Sequence, residues 1–254
     1  MRTLTDTWLR LALSLEGETE AAGATYNAQL LGKNLAREWR RNAYAAVALS
    51  DKLAASLVLT KLPDELDDVE WPWPHFLVIL PEFIAEASAG LEGYRESGMF
   101  LTRNPGGGFS VAHAVVAWSS GTWRAGVGVS ATYANLSEFC RNTERAGDSA
   151  GKAVARVVVG ALCELNSKPD GGPRVGAPPA PNKRSGEPRV WNFLLTRPNM
   201  ADYRAEAGEF LRGNGSPSAL QRLVRGHWQR YHVGPLTGIR RVVLRHKEPY
   251  WHGK

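Results

Sequence analysis

The sequence predicts an α+β fold: helices toward the N-terminus, a central antiparallel β-meander and hairpin packed by helices, and a basic segment of strands and turns at the C-terminus. Three observations carry this. Ser110 to Trp118 and Trp123 to Ser130 are rich in Val and Trp with alternation, and Ser119-Ser-Gly-Thr122 between them is a hairpin connection. Ser149 to Asn166 repeats Val154, Val157, Val158, Ala161, Leu162 and Leu165 at helical spacing, which makes one wide apolar stripe. The last 34 residues hold eight Lys and Arg against one Glu, whereas the first 220 carry a net charge of −1, so the basic character sits at one end of the chain.

The remaining elements follow in order. Thr5 to Glu16 spaces Trp8, Leu11 and Leu15 as an amphipathic helix, with Thr5 or Asp6 as its cap. Ala22 to about Thr60 is Ala/Leu-rich and helical, broken near Gly32 or at Ser50–Asp51; within it Arg37, Arg40 and Arg41 share a face, with Trp39 and Tyr44 turned inward. Pro63 to Pro74 is acidic and proline-interrupted, hence a loop. Phe76 to Leu80 is a continuous apolar run stopped by Pro81, as in a buried strand. Ala85 to Glu96 is expected as a short helix or turn, and Met99 to Thr102 as a strand. Asn104-Pro-Gly-Gly-Gly108 is a turn; lacking a GKS/T ending and leading into a strand, it is no phosphate loop. A helix starts at Asn135–Glu138. Val190 to Leu195 is a strand, and Ala201 to Arg212 a helix stopped by Gly213. The expected organisation is a helical and β-hairpin core over 1–166, a Pro/Gly-rich connector over 167–189, and a basic aromatic segment over 190–254 that packs on the core.

Composition excludes several classes. With 43% hydrophobic and 22% charged residues the chain has apolar material for a core without staples. Two cysteines, Cys140 and Cys163, give neither a disulfide scaffold nor a zinc framework, and both read as buried thiols. The N-terminal stretch is too polar for a signal peptide, and no apolar run approaches the ~18 residues that span a bilayer. The expected location is the cytoplasm, with no membrane partner. No G-x-S-x-G elbow and no dinucleotide fingerprint is present, and no cofactor is expected.

The chemistry-bearing segment runs from Arg222 to Lys254. Cations alternate there with aromatics: Arg225, Trp228, Arg230, Tyr231, Arg240, Arg241 and Arg245, with Tyr250 and Trp251 beyond. Guanidinium groups bind phosphate bidentately and aromatic faces stack bases, so Arg225, His227, Trp228, Arg230, Tyr231, Arg240, Arg241 and Arg245 are the candidate nucleic-acid contacts. The bland alternative is that the acidic stretch between Lys61 and Glu96 neutralises these arginines, or that Trp228 and Trp251 fold back on the core. Four of the six histidines, His227, His232, His246 and His252, also lie here, but four histidines without carboxylate or cysteine do not read as a zinc site, and no metal is expected. His227 or His232, with a carboxylate such as Glu248, are the candidates for general acid–base work in a metal-free nuclease.

Arg225-Gly-His-Trp228, then Tyr231, the Gly234 turn, Arg240-Arg241, a Val-rich strand and the Trp251-His-Gly253 ending resemble the C-terminal signature of a phage and plasmid protein family. That family includes the second type V-A anti-CRISPR protein. Ala36-Arg-Glu-Trp-Arg-Arg-Asn42, Leu62-Pro-Asp-Glu-Leu66 with Trp73 to Pro81, Ser149 to Asp170 and Asn182 to Pro188 resemble its further blocks in the same order. The resemblance implies a mobile-element protein in a bacterial host that blocks synthesis of a CRISPR nuclease by recognising its nascent N-terminal peptide and promoting loss of its mRNA. Its implied partners are a nascent host polypeptide and RNA or the ribosome. Trp71, Trp73 and Phe76, beside the acidic loop, are the candidate peptide-binding residues, and the basic C-terminus is the candidate RNA-facing part. The competing expectations are a metal-independent RNA nuclease and a phage accessory or structural protein.

Overall fold

The computed structural model describes residues 26–42, 45–63, 65–66, 69–84, 94–119, 122–145, 149–167, 192–195, 200–213, 222–224, 226–234 and 241–252. The helix expected over Thr5–Glu16, and the connector expected over 167–189 apart from Ser167, lie outside them. In chain order the elements are α1 (Tyr26–Arg41), β1 (Ala46–Leu49), α2 (Asp51–Val58), β2 (His75–Leu80), β3 (Tyr94–Arg103), β4 (Phe109–Ser119), β5 (Thr122–Tyr133), α3 (Leu136–Arg145), α4 (Ser149–Asn166), β6 (Asn192–Leu195), α5 (Arg204–Leu211), β7 (Arg222–Val224), β8 (His227–Val233), β9 (Arg241–Lys247) and β10 (Tyr250–His252). The fold class is α+β. The chain divides into two compact units, each drawn from three stretches: Met1–Ala48, Trp73–Thr132 and Val175–Leu194 form the first, and Leu49–Pro72, Tyr133–Arg174 and Leu195–Lys254 the second.

The first unit is built on a mixed sheet in the order β5-β4-β3-β2-β1-β6. β1 runs parallel to β2, while β2–β3 and β3–β4 are antiparallel. β2 is buried at every position, which explains the uninterrupted apolar run from Phe76 to Leu80. The β3–β4 turn closes through Asn104 N donating to Gly108 O at 3.1 Å, with Gly107 and Gly108 at φ +94° and +71°, a region that L side chains rarely adopt. Helix α1 turns Leu35, Ala36 and Trp39 inward. Trp39 donates its indole N–H to Ala45 O at 2.8 Å and meets Phe100 edge-on at 5.4 Å, so its polar handle is satisfied while its ring fills the core. His75 is also interior, stacked on Phe100 at 5.3 Å with Nδ1 beside Thr102 Oγ1. Burial lowers its pKa to about 4, outweighing an opposing backbone interaction with Leu35.

The second unit packs α2, α3 and α5 around α4, which is buried from Ala153 to Leu165. Ser50 caps α2 by accepting from Leu53 N at 3.4 Å. Asn135 and Glu138 cap α3 reciprocally: Asn135 Oδ1 accepts from Glu138 N at 2.8 Å, and Glu138 Oε2 accepts from Ala134 N at 2.7 Å. Helices α2 and α4 approach closely at Gly160, where a Cβ would lie 2.7 Å from Leu57 Cδ2. Arg156, 3% exposed, is held on three sides: Nε and one terminal nitrogen donate to Glu144 at 2.7 and 2.8 Å, the other donates to Val58 O at 2.8 Å, and the Phe210 ring lies 4.9 Å away. Burial raises the Glu144 pKa, but the Arg156 hydrogen bond and charge reverse this and hold it below the usual carboxylate value.

Two expectations fail in detail. The helical region expected from Ala22 to Thr60, broken near Gly32 or at Ser50–Asp51, runs unbroken through Gly32, ends at Arg41 and resumes only at Asp51, with a strand, β1, between. Ala46-Val-Ala-Leu49 has no helical or strand period; its pairing with β2 decides. The helix or turn expected over Ala85–Glu96 gives way at its end to β3, since Tyr94 and Glu96 are already paired with β4.

Candidate nucleic-acid interface

The basic C-terminal segment enters through a constrained glycine. Gly226 is buried and bridges Thr60, and its carbonyl accepts from Lys61 N at 3.2 Å. A Cβ there would lie 2.9 Å from Lys247 O and 3.1 Å from Pro249 Cδ, and closer still to Thr60 Oγ1, so the chain passes only without a side chain. β8 then pairs antiparallel with β9, from His227↔Lys247 to Val233↔Arg241. Alternation along a strand and its partner splits the pairs between two faces.

One face packs on the second unit itself over Trp228, Leu244 and His246, while His232 further along it is exposed. Trp228 lies half-buried with its ring 5.1 Å from His246. His246 and Leu244 are buried. His246 Nε2 is 2.8 Å from Thr60 Oγ1, and its Nδ1 faces the buried Glu164 carboxylate at 3.6 Å. Arg230, next along this face, donates to Glu65 Oε2 at 2.8 Å and to Glu65 O at 3.2 Å. Intramolecular neutralisation by the acidic stretch, the alternative to a nucleic-acid contact, thus holds for Arg230.

The other face carries His227, Gln229, Arg245, Lys247 and Val233, all exposed, with Tyr231 half-buried among them and Val243 buried opposite Tyr231. The Arg245 guanidinium lies 5.0 Å from the centre of the Tyr231 ring and the Lys247 ammonium 5.7 Å from it. Tyr231 donates its hydroxyl to Gln229 Oε1 at 2.8 Å, which fixes the ring. Among the described residues no carboxylate forms an ion pair with Arg245 or Lys247. Two cations and one oriented aromatic, with amide and imidazole beside them, can meet phosphate and stack a base.

The candidate contacts therefore separate. His227, Tyr231 and Arg245 come together, and Arg241 holds the register position opposite Val233 in the same ladder. Trp228 and Arg230 face the other way. Arg225 and Arg240 lie outside the described residues. Gln229 and Lys247 belong with the exposed group, and sequence reasoning missed them by weighing residue types along the segment rather than their alternation. His227 and His232 are five residues apart in one strand, hence on opposite faces, and cannot form an acid–base pair with each other. Of the candidate peptide-binding residues, Trp73 and Phe76 are core residues of the first unit, 4% and 0% exposed and edge-to-face at 5.8 Å; Trp71 is half-buried. Among the described residues no helix is long and apolar enough to cross a membrane, and no three His, Cys, Asp or Glu gather as metal ligands. No family model matches the chain, and comparisons with curated proteins and with solved structures return no match.

Proposed function

We propose that this chain is an RNA-binding regulatory protein that contacts single-stranded RNA through the exposed face of the β8–β9 ladder. The observation that carries the reading is the pairing of Arg245 and Lys247 with the Tyr231 ring on a face where neither cation meets a carboxylate among the described residues. Arg245 and Lys247 meet the phosphates, and Tyr231 or the guanidinium plane stacks a base. The family resemblance adds the finer proposal that the RNA is an mRNA under translation, and that the protein silences a host nuclease gene from its nascent chain. Burial of Trp73 and Phe76 moves the peptide-recognition part of that proposal away from those two rings. The nuclease alternative, His227 or His232 with a carboxylate such as Glu248, rests on one histidine at a time, since the two lie on opposite faces of β8.

The test is RNA binding by the whole protein as salt is varied. Phosphate contacts release counterions, so affinity for a uridine homopolymer falls linearly in log–log form, and the double variant Arg245→Gln/Lys247→Gln shows a slope shallower by about 1.4. Absence of binding by the wild type at low salt defeats the reading. Cleavage of the RNA by pure protein, lost in His227→Ala, replaces it with the nuclease alternative.

A further inference from the structure

On the exposed face of β8–β9, Gln229 stands directly opposite Arg245, two residues from His227 on one side and from Tyr231 on the other. Its side chain is exposed, so the core makes no demand on it. A primary amide carries an acceptor oxygen and a donor NH2 group on two branches of one planar carbon. The oxygen is already engaged, because Tyr231 donates its hydroxyl to Gln229 Oε1 at 2.8 Å. Holding Oε1 toward Tyr231 turns Nε2 away from it, so what the amide offers a ligand is its pair of N–H donors. Arginine and lysine have donors only, so Arg245 and Lys247, the two cations at the Tyr231 ring, add no acceptor. The surroundings of the ring are therefore rich in donors, and the amide's acceptor is spent within the protein.

That asymmetry has a counterpart in the bases. Guanine and uracil carry a keto oxygen, O6 or O4, where adenine and cytosine carry an amino group, N6 or N4. An amide N–H donates to a keto oxygen without disturbing the Tyr231 bond. An amino group needs an acceptor instead. The bidentate amide contact to adenine uses oxygen and nitrogen together, and here it competes with the Tyr231 hydroxyl for Oε1. Phosphates present the same oxygens whatever the base, so Arg245 and Lys247 supply attraction without selectivity. The choice among bases falls to Gln229, the neighbour of Tyr231 along the same face.

We infer that Gln229, held by Tyr231, makes this face selective in single-stranded RNA for the keto bases, guanine and uracil, over the amino bases, adenine and cytosine. The inference rests on the RNA reading above, but that reading does not rest on it: the face can bind RNA without choosing among bases. The experiment uses the full chain and labelled short cytidine RNAs at neutral pH, either uniform or with one central uridine, guanosine or adenosine. Affinity is measured across salt for wild type, Gln229→Met and Tyr231→Phe. Uridine against cytidine, and guanosine against adenosine, match ring size and hence stacking area. Wild type is expected to bind the uridine RNA at least about fivefold more tightly than the uniform one, and the guanosine RNA at least about fivefold more tightly than the adenosine one. Gln229→Met keeps the reach of an exposed side chain and loses its hydrogen bonds, so both ratios fall close to one while the salt slope stays that of wild type. Tyr231→Phe keeps the ring but frees the amide to turn, so both ratios fall there too. Equal wild-type affinities for the four RNAs overturn the inference and leave the RNA reading intact. A preference for adenosine and cytidine overturns it by showing that the amide offers its oxygen. A keto preference that survives in Gln229→Met assigns the selectivity to another residue and overturns it as well. A wild type that binds none of the four RNAs removes both readings.

Discussion

Thr60, just after α2, and His246, in β9, are separated by 186 positions in sequence and joined by a 2.8 Å hydrogen bond in the interior of the second unit. The direction of that bond follows from counting protons. The Thr60 hydroxyl has one, and it goes to Ser56 O at 2.8 Å, so His246 Nε2 is the donor and Thr60 the acceptor. That leaves Nδ1 facing Glu164 Oε1 at 3.6 Å. The exposed face of β9 is positioned by this polar contact beneath it.

Thr60→Val tests that role. The variant keeps the shape but leaves the His246 N–H without its acceptor, a loss of about 1–3 kcal/mol. The midpoint of urea unfolding falls with little change in slope, while Thr60→Ser retains the wild-type midpoint. A Val variant as stable as wild type would show that the contact contributes nothing.

Arg156 anchors the same unit differently. Removing its guanidinium by Arg156→Met strands the Val58 carbonyl and the part-exposed Glu144 carboxylate together, a loss of about 2–3 kcal/mol, below that of a fully buried pair because water reaches Glu144. The double variant Arg156→Met/Glu144→Leu recovers much of that, because the stranded charge is gone. Thermal unfolding of the two variants checks the order; a double variant no more stable than the single one contradicts it.

Acid sensitivity is expected from the first unit. His75 has a folded pKa near 4 against about 6.5 when unfolded, so the unfolded chain binds the extra proton. Stability from this group is intact above pH 6.5 and declines as pH falls toward 4, by roughly 3 kcal/mol in all. His113, whose pKa burial also lowers, acts in the same direction. His75→Gln flattens the stability profile between pH 6.5 and 4 whatever it does to stability at pH 7; a variant whose profile parallels wild type assigns the acid sensitivity elsewhere.

How much of this was readable in advance depends on whether a residue's role was local. The β4–β5 hairpin and α4 carry their own periods, and both appear where the pattern placed them. β1 does not, because Ala46–Leu49 becomes a strand only through its parallel neighbour β2. The same distinction divides the site. The richness of the C-terminal segment in arginine and aromatics is composition, visible at once. Which of them face outward depends on the β8–β9 register and on Thr60, Glu65 and Glu164, far away in sequence, so composition alone does not separate Trp228 and Arg230 from Tyr231 and Arg245, which point the other way.

Tyr231 provides the sharpest separation of stacking from charge. Its ring is oriented from both sides of the ladder: its hydroxyl donates a hydrogen bond to Gln229 Oε1 at 2.8 Å, and Arg245 and Lys247 stand over its face. Tyr231→Leu removes the stacking surface and leaves every cation in place. Affinity for a uridine homopolymer falls roughly 5- to 150-fold, the equivalent of about 1–3 kcal/mol for one stacked base, while the salt slope stays that of wild type. Tyr231→Phe, which keeps the ring and loses only the Gln229 bond, stays within a few-fold of wild type. Fluorescence anisotropy across a salt series reads both quantities at once. If the Leu variant binds as wild type does, no base stacks on this ring; if its slope becomes shallower, the ring serves instead to aim Arg245 and Lys247 at the phosphates.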